Sequence, residues 1–155
     1  MVQTTSFKVA EIELKYSVDY KITERPKISS SKEAYKIVLD QWDCDKLDLL
    51  EEFKIVLLNR GNRVLGITTI SQGGVSGTMA DPKLIFGTAL KAVASFVILV
   101  HNHPSGNLRP SNEDIKLTKK LVEGGKLLDI LVVDHLIISK DDYYSFCDDG
   151  ILKLG

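Results

Sequence analysis

The stretch Phe96-Val97-Ile98-Leu99-Val100-His101-Asn102-His103-Pro104-Ser105-Gly106, with Ser111-Asn112-Glu113-Asp114 just beyond it, decides how this chain folds and where its chemistry lies. The apolar run before His101 is short, continuous and rich in β-branched residues, which predicts a buried strand. Residues i and i+2 of a strand point to the same side, so His101 and His103 can face one point where the strand ends. Pro104, Ser105, Gly106, Asn107 and Pro110 then predict a loop. Ser111, with an acidic and apolar-periodic segment behind it, predicts the start of a helix. Asp114 falls in its first turn, leaning back toward the strand end. Two imidazoles and a carboxylate are thus gathered from 14 residues of sequence, His101 to Asp114. That donor set suits a divalent metal, zinc first, and three protein ligands leave a fourth position open, as catalytic zinc requires.

Plainer readings stand beside this one. Ser111-x-x-Asp114 is close to a capping box and can do no more than start a helix. A cap hydroxyl beside backbone N–H groups can also face a developing oxyanion. His135, the third histidine of the chain, is read as a satisfied histidine at a strand end, with a place beside the site as the alternative.

H-x-H-P-x-G followed by S-x-x-D resembles the motif of the JAMM (MPN-type) metallopeptidases. The wider segment Ala94 to Ser139, with Val133-Asp134-His135-Leu136-Ile137-Ile138, resembles the bacterial RadC branch, and the likeness runs from Leu47 to Gly155. It implies an α/β/α sandwich around a curved mixed sheet, layered like the cytidine deaminases, with one zinc per chain. It also implies the roles. His101, His103 and Asp114 would hold the metal, Ser111 would assist the oxyanion, and a glutamate upstream would be the general base. Glu51-Glu52-Phe53 is similar to the Glu-Phe start of the family's first core strand. Glu52, directly before the phenylalanine, is taken as the base, and alternation then points Glu51 to the opposite face. The expected function is a zinc-dependent hydrolase cleaving an amide or isopeptide bond. A DNA-repair-associated protein or metal-dependent nuclease is the first alternative, and a non-catalytic metal-binding interaction module the second. The letters His-Asn-His coincide only by chance with the nuclease motif of that name.

Composition agrees with a compact enzyme. The chain has 155 residues, 44% hydrophobic and 26% charged, ordinary values for a globular domain. No apolar run approaches the 18 or so residues that span a membrane. Met1-Val2-Gln3-Thr4-Thr5 lacks the basic start and apolar core of a signal peptide, and Cys44 and Cys147 stand far apart. A cytoplasmic protein with free thiols is expected, and nothing around Cys147 suggests an activated thiolate. A net charge of −1 supplies no excess of cations for phosphates. Lys116, Lys119 and Lys120 form a local stripe, read as a solvated helix face. Fuller RadC proteins carry a helix-hairpin-helix segment ahead of the domain. Too few residues precede it here for one, so only weak DNA binding is expected. The peptide or protein substrate has no readable signature.

The rest of the chain fills in an α/β alternation. Phe7 to Tyr16 alternates and predicts a strand. Glu24 to Ser31 reads as a linker. Ser30, with Glu33 three residues on, opens a helix whose apolar face is Ala34, Ile37, Val38 and Trp42. Residues 1–46 are taken as an N-terminal strand, linker and helix packed on, or belonging to, a metal-binding domain at 47–155. Asn59-Arg60-Gly61-Asn62 predicts a hairpin turn joining Phe53–Leu58 to Val64–Ser71, a strand ended by Gly73 and Gly74. Asp81-Pro82 starts a helix reaching about Ala94. The helix from Ser111 is expected to stop at Gly124-Gly125, and Ile130 to Ser139 to be a strand broken near Asp134.

Overall fold

A computed structural model of the chain describes residues 7–13, 15–73 and 80–152. Met1 to Thr5, considered above for targeting signals, and Gly74 lie outside the described residues. The elements run α1 (Ser31–Asp40), β1 (Glu52–Leu58), β2 (Val64–Gln72), α2 (Pro82–Lys91), β3 (Phe96–Asn102), α3 (Asn112–Leu127), β4 (Leu131–Ile138) and β5 (Tyr143–Ser145), after one 3-10 turn at Ile22–Glu24. The strands form one sheet in the order β2-β1-β3-β4-β5. β1 pairs antiparallel with both β2 and β3, β3 pairs parallel with β4, and β5 returns antiparallel. The expected α/β fold with a mixed sheet is therefore present.

Each face of the sheet is covered. On one side Ala34 and Val38 of α1, with Trp42 and Leu47, pack on Val56, Leu58, Ile98, Val100, Leu136 and Ile138. On the other, Ile85, Phe86 and Ala89 of α2 and Leu121 of α3 pack on Phe53, Ile55, Leu57, Val97, Leu99 and Ile137. β1 and β3 contribute to both sets by alternation, which is why Ile55 to Leu58 and Phe96 to Val100 are unbroken apolar runs.

Local chemistry starts and stops these elements. The Ser30 hydroxyl accepts from the Glu33 amide, and the Asp81 carboxylate accepts from the Lys83 amide with Pro82 in the first turn. In the β1–β2 hairpin the Asn59 carbonyl side chain accepts from the Gly61 and Arg63 amides, and Asn62 takes a positive φ of 60°.

The structure corrects three expectations. Phe7 to Tyr16 forms no strand among its described residues. Alternation supplies a face, but a strand also needs a partner, and none of the described ladders includes this segment. The Glu24–Ser31 linker is partly ordered by pairing. Ile28 donates to Asn62 O and Val64 donates to Pro26 O, making a bridge onto the hairpin. The α3 helix runs through Gly124 and Gly125 to Leu127. Gly125 is needed there for a close approach, because a Cβ on it would sit 2.1 Å from the Ile130 carbonyl oxygen.

The break anticipated near Asp134 is a β-bulge. Val97 pairs with Val132 and Ile98 with Asp134, so Val133 is an extra residue opposite β3. One extra residue reverses the in-out alternation. Val132 and, beyond the bulge, Ile137 therefore share the α2–α3 face, and His135 joins them.

Candidate metal centre

β3 delivers His101 at its end, 1% exposed, with its imidazole on the α2–α3 face. The chain then turns at once. Gly106 donates to His103 O and has a φ of 79°, a conformation that favours glycine. The turn leaves His103 beside His101, their Nε2 atoms 2.9 Å apart. The other ring nitrogen of His103 lies 2.5 Å from the Asn107 carbonyl oxygen. A carbonyl can only accept, so His103 carries a proton on Nδ1, and in the neutral ring its Nε2 is a lone pair turned to the centre.

α3 supplies the carboxylate. Ser111 and Asp114 form a reciprocal cap. The Ser111 hydroxyl accepts from the Asp114 amide at 3.1 Å, and Asp114 Oδ2 accepts from the Ser111 amide at 2.8 Å. The cap fixes the Asp114 side chain so that Oδ1 lies 3.3 Å from His101 Nε2 and Oδ2 lies 3.5 Å from His103 Nε2. Two ligands of a tetrahedral zinc, each about 2.0–2.1 Å from it, sit about 3.3 Å apart. Burial pushes the Asp114 carboxyl up, but the His101 and His103 rings beside it outweigh that and hold the group well below the usual carboxylate range. The same contact with Asp114 raises the His103 imidazole, against the opposing effect of burial.

The glutamates are placed opposite to expectation. Phe53 pairs with His101 across the β1–β3 ladder, so the residues sharing its face are the odd-numbered ones. Glu51 stands on that face, with Oε1 3.8 Å from His101 Nε2, and donor atoms of Glu51, His101 and His103 all lie within 4.8 Å of one another. Burial raises the Glu51 carboxyl, partly offset by His101 and His103. Glu52 points through the other face. Its carboxylate is buried, its Oε2 lies 3.3 Å from Lys54 Nζ, and its Oε1 has no hydrogen-bond partner among the described residues. Lys54 in turn lies 4.8 Å over the Trp42 ring. Glu52 thus lies on the opposite side of the sheet from the histidines, whereas Glu51, expected on the far face, lies on theirs.

Asn102, the middle letter of His-Asn-His, pins the register. Its Oδ1 accepts from the Glu52 amide at 2.7 Å, and its Nδ2 donates to Leu47 O and Leu50 O at 2.8 and 2.9 Å. The segment entering β1 is therefore tied to the end of β3.

His135 is not at a strand end. It is fully buried in mid-strand with its Nε2 2.8 Å from His101 Nδ1 and its Nδ1 2.6 Å from the Thr118 hydroxyl. Phe146 stacks on its ring at 4.6 Å and Phe53 meets it edge-on at 5.7 Å. Burial, then the neighbouring His101, moves its pKa far down, so it is neutral. Sequence reasoning missed Thr118, whose one available signal was its place four residues, one helical turn, after Asp114. Burial and the Asp134 and Asp148 carboxylates raise the Cys147 thiol.

A cleft of about 630 Å³ lies against Asp114, between Ala80, Asp81 and Pro82 at the start of α2 and Glu113, Leu117 and Lys120 of α3. Lys116, Lys119 and Lys120 are all exposed. Among the described residues no helix is long and apolar enough to cross a membrane.

The chain was compared with known proteins. A family model described as RadC-like JAB domain matches residues 28–151, beginning earlier than the likeness seen from the sequence. A UPF0758 protein of Flavobacterium johnsoniae is 44% identical over 130 residues, which is 84% of this chain and 56% of that protein. One from Methanosarcina mazei is 41% identical over 127 residues, 82% of this chain and 54% of the relative. One from Porphyromonas gingivalis is 46% identical over 103 residues, 66% of this chain and 45% of the relative. The chain thus spans about half the length of these curated relatives.

Proposed function

The chain belongs to the RadC-like JAB domain family, and from that premise we propose that it is a zinc-dependent hydrolase cleaving an amide or isopeptide bond. The observation that carries the proposal is the convergence of His101 Nε2, His103 Nε2 and the two Asp114 oxygens, with a fourth donor, Glu51, close by. The donor set fits a cation. The His103 Nε2 lone pair and the Asp114 carboxylate are both electron-rich and meet in a half-buried space, an arrangement that is costly unless positive charge lies between them.

His101, His103 and Asp114 would hold the zinc. Bound there, it would lower the pKa of a water to about 7 and polarise the scissile carbonyl. Glu51 would be the general base in place of Glu52. Burial raises its carboxyl, which favours Oε1 taking a proton and later returning it to the leaving nitrogen. The Ser111 hydroxyl accepts from the Asp114 amide and so keeps its own proton free to donate to a developing oxyanion. The cleft beside Asp114 would take the substrate chain.

Zinc content of protein purified without added metal tests the ligands. The expected result is one zinc per chain, lost in a His101→Ala, His103→Ala double variant. Equal zinc in both proteins would refute the ligand set. Screening the metal-loaded protein against a peptide and isopeptide library then tests the reaction.

A further inference from the structure

We infer that His135, oriented by Thr118, is a positioning residue that fixes the tautomer of His101 and so keeps the His101 Nε2 lone pair turned to the metal position; this rests on the metal reading above. The Thr118 hydroxyl has one proton and two close neighbours, the Asp114 backbone oxygen and His135 Nδ1, each at 2.6 Å. The carbonyl oxygen can only accept. The assignment that puts a hydrogen in both contacts has the hydroxyl donating to Asp114 O and His135 Nδ1–H donating to the hydroxyl.

The rest follows ring by ring. A neutral imidazole with its proton on Nδ1 has a bare Nε2. His135 Nε2 lies 2.8 Å from His101 Nδ1, so His101 must bring the proton, on Nδ1. Its Nε2 is then bare and faces His103 Nε2 and Asp114 Oδ1. The path is closed. It leaves α3 at the Asp114 backbone, crosses Thr118, His135 and His101, and returns to the Asp114 carboxylate. Packing holds each member in place. Phe146 and Phe53 wall the His135 ring, and Phe53 also stacks on His101. The bulge at Val133 is what turns His135 toward this face.

Reversing the hydroxyl would reverse every proton in the path and put N–H on His101 Nε2, where a cation must bind. Thr118 touches neither the metal position nor His101 in any described hydrogen bond, yet it sets the direction.

The test uses the full chain with Thr118→Val, Thr118→Ser, His135→Leu and His135→Gln. Zinc affinity is measured by chelator competition. The imidazole tautomers of the metal-free protein are read from ¹⁵N chemical shifts, and metal-free melting is recorded alongside. The wild type is expected to show His101 with its proton on Nδ1. Thr118→Val, which keeps the shape and removes the hydroxyl, should mix the tautomers and weaken zinc about tenfold or more, the range of outer-shell losses. Thr118→Ser should restore both. His135→Leu should weaken zinc by about 10–100-fold, and His135→Gln, whose amide oxygen can replace the Nε2 acceptor, should do less harm. A wild-type His101 protonated on Nε2 in the metal-free protein would overturn the inference. So would unchanged zinc affinity in folded Thr118→Val. A wild type that takes up no zinc sinks the metal reading and this inference together, whereas zinc binding indifferent to Thr118 sinks this inference alone.

Discussion

Phe53 faces His101 across the antiparallel register of β1 and β3, and their rings stack with centroids 5.8 Å apart at 7°. This pairing decides which of two adjacent carboxylates lies beside the histidines. Glu51 shares the face of Phe53, while Glu52 shares that of Lys54 and Trp42.

The two glutamates should therefore fail in different assays. Glu51→Gln is expected to retain zinc and fold while losing hydrolysis by about 10²-fold or more, the size of a general-base contribution. Glu52→Gln should hydrolyse at close to the wild-type rate but lose about 1–3 kcal/mol of stability, because it leaves its half-buried Lys54 partner short of a charge. Steady-state rates and denaturant midpoints on both variants separate the roles. A dead Glu52→Gln beside an active Glu51→Gln would mean the register places the base wrongly.

A pH series on metal-free protein checks the environment of Glu51. Burial raises its folded-state pKa, so the folded protein holds that proton more tightly than the unfolded chain does. Stability from this group is fully present below its unfolded pKa of about 4.3 and is lost as pH rises through the higher folded value. Glu51→Gln has no such loss. Its melting temperature relative to wild type should therefore climb as pH is raised from 4 to 7 under chelator. A difference that stays flat, or falls, would show that the carboxyl is not raised.

The meeting of His101, His103 and Asp114 was legible because 14 consecutive residues carry a whole strand end, loop and helix start, each with its own local signal. The base was not. Alternation says that Glu51 and Glu52 part company, but the phase depends on the Asn102 side chain tying the entry of β1 to β3, a contact 50 residues distant in sequence. His135 was hidden by the Val133 bulge, since one inserted residue reverses every face assignment after it. The Phe7–Tyr16 alternation misled for the opposite reason, because a pattern on one segment says nothing about whether a neighbour is available to pair.

Nucleic acid should bind weakly. Lys116, Lys119 and Lys120 are exposed on α3, but Glu113 and Glu123 share the helix and the chain carries a net charge of −1. Binding of duplex DNA is expected in or above the nonspecific range of about 10⁻⁴–10⁻⁶ M at physiological salt. With three lysines as the whole footprint, the slope of log affinity against log salt should be no steeper than about −3. Fluorescence anisotropy across several salt concentrations, with a triple Lys→Gln variant, measures both. Submicromolar binding at physiological salt would favour the nuclease or repair alternative over the peptidase.

Gly124 and Gly125 should respond differently to alanine, although both lie within α3. Alanine favours a helix interior over glycine by up to about 1 kcal/mol. At Gly124 the added Cβ meets only Phe86 Cε2 at 3.1 Å, a ring that can shift, so gain and clash should nearly cancel. At Gly125 it meets the Ile130 backbone oxygen at 2.1 Å. That oxygen cannot move alone. Ile130 also donates to Gly125 O, and it leads the chain into β4. Forced apart, α3 and β4 lose a close contact, and overpacking of this kind costs about 1–3 kcal/mol, more where backbone must yield. Gly125→Ala is expected to lower stability by about 2 kcal/mol or more and Gly124→Ala by less than half of that. The strain also falls between Thr118 on α3 and His135 on β4, so Gly125→Ala should weaken zinc binding while Gly124→Ala leaves it unchanged. Equal denaturant midpoints for the two variants would show that the helix and the strand do not meet as closely as the Gly125 position requires.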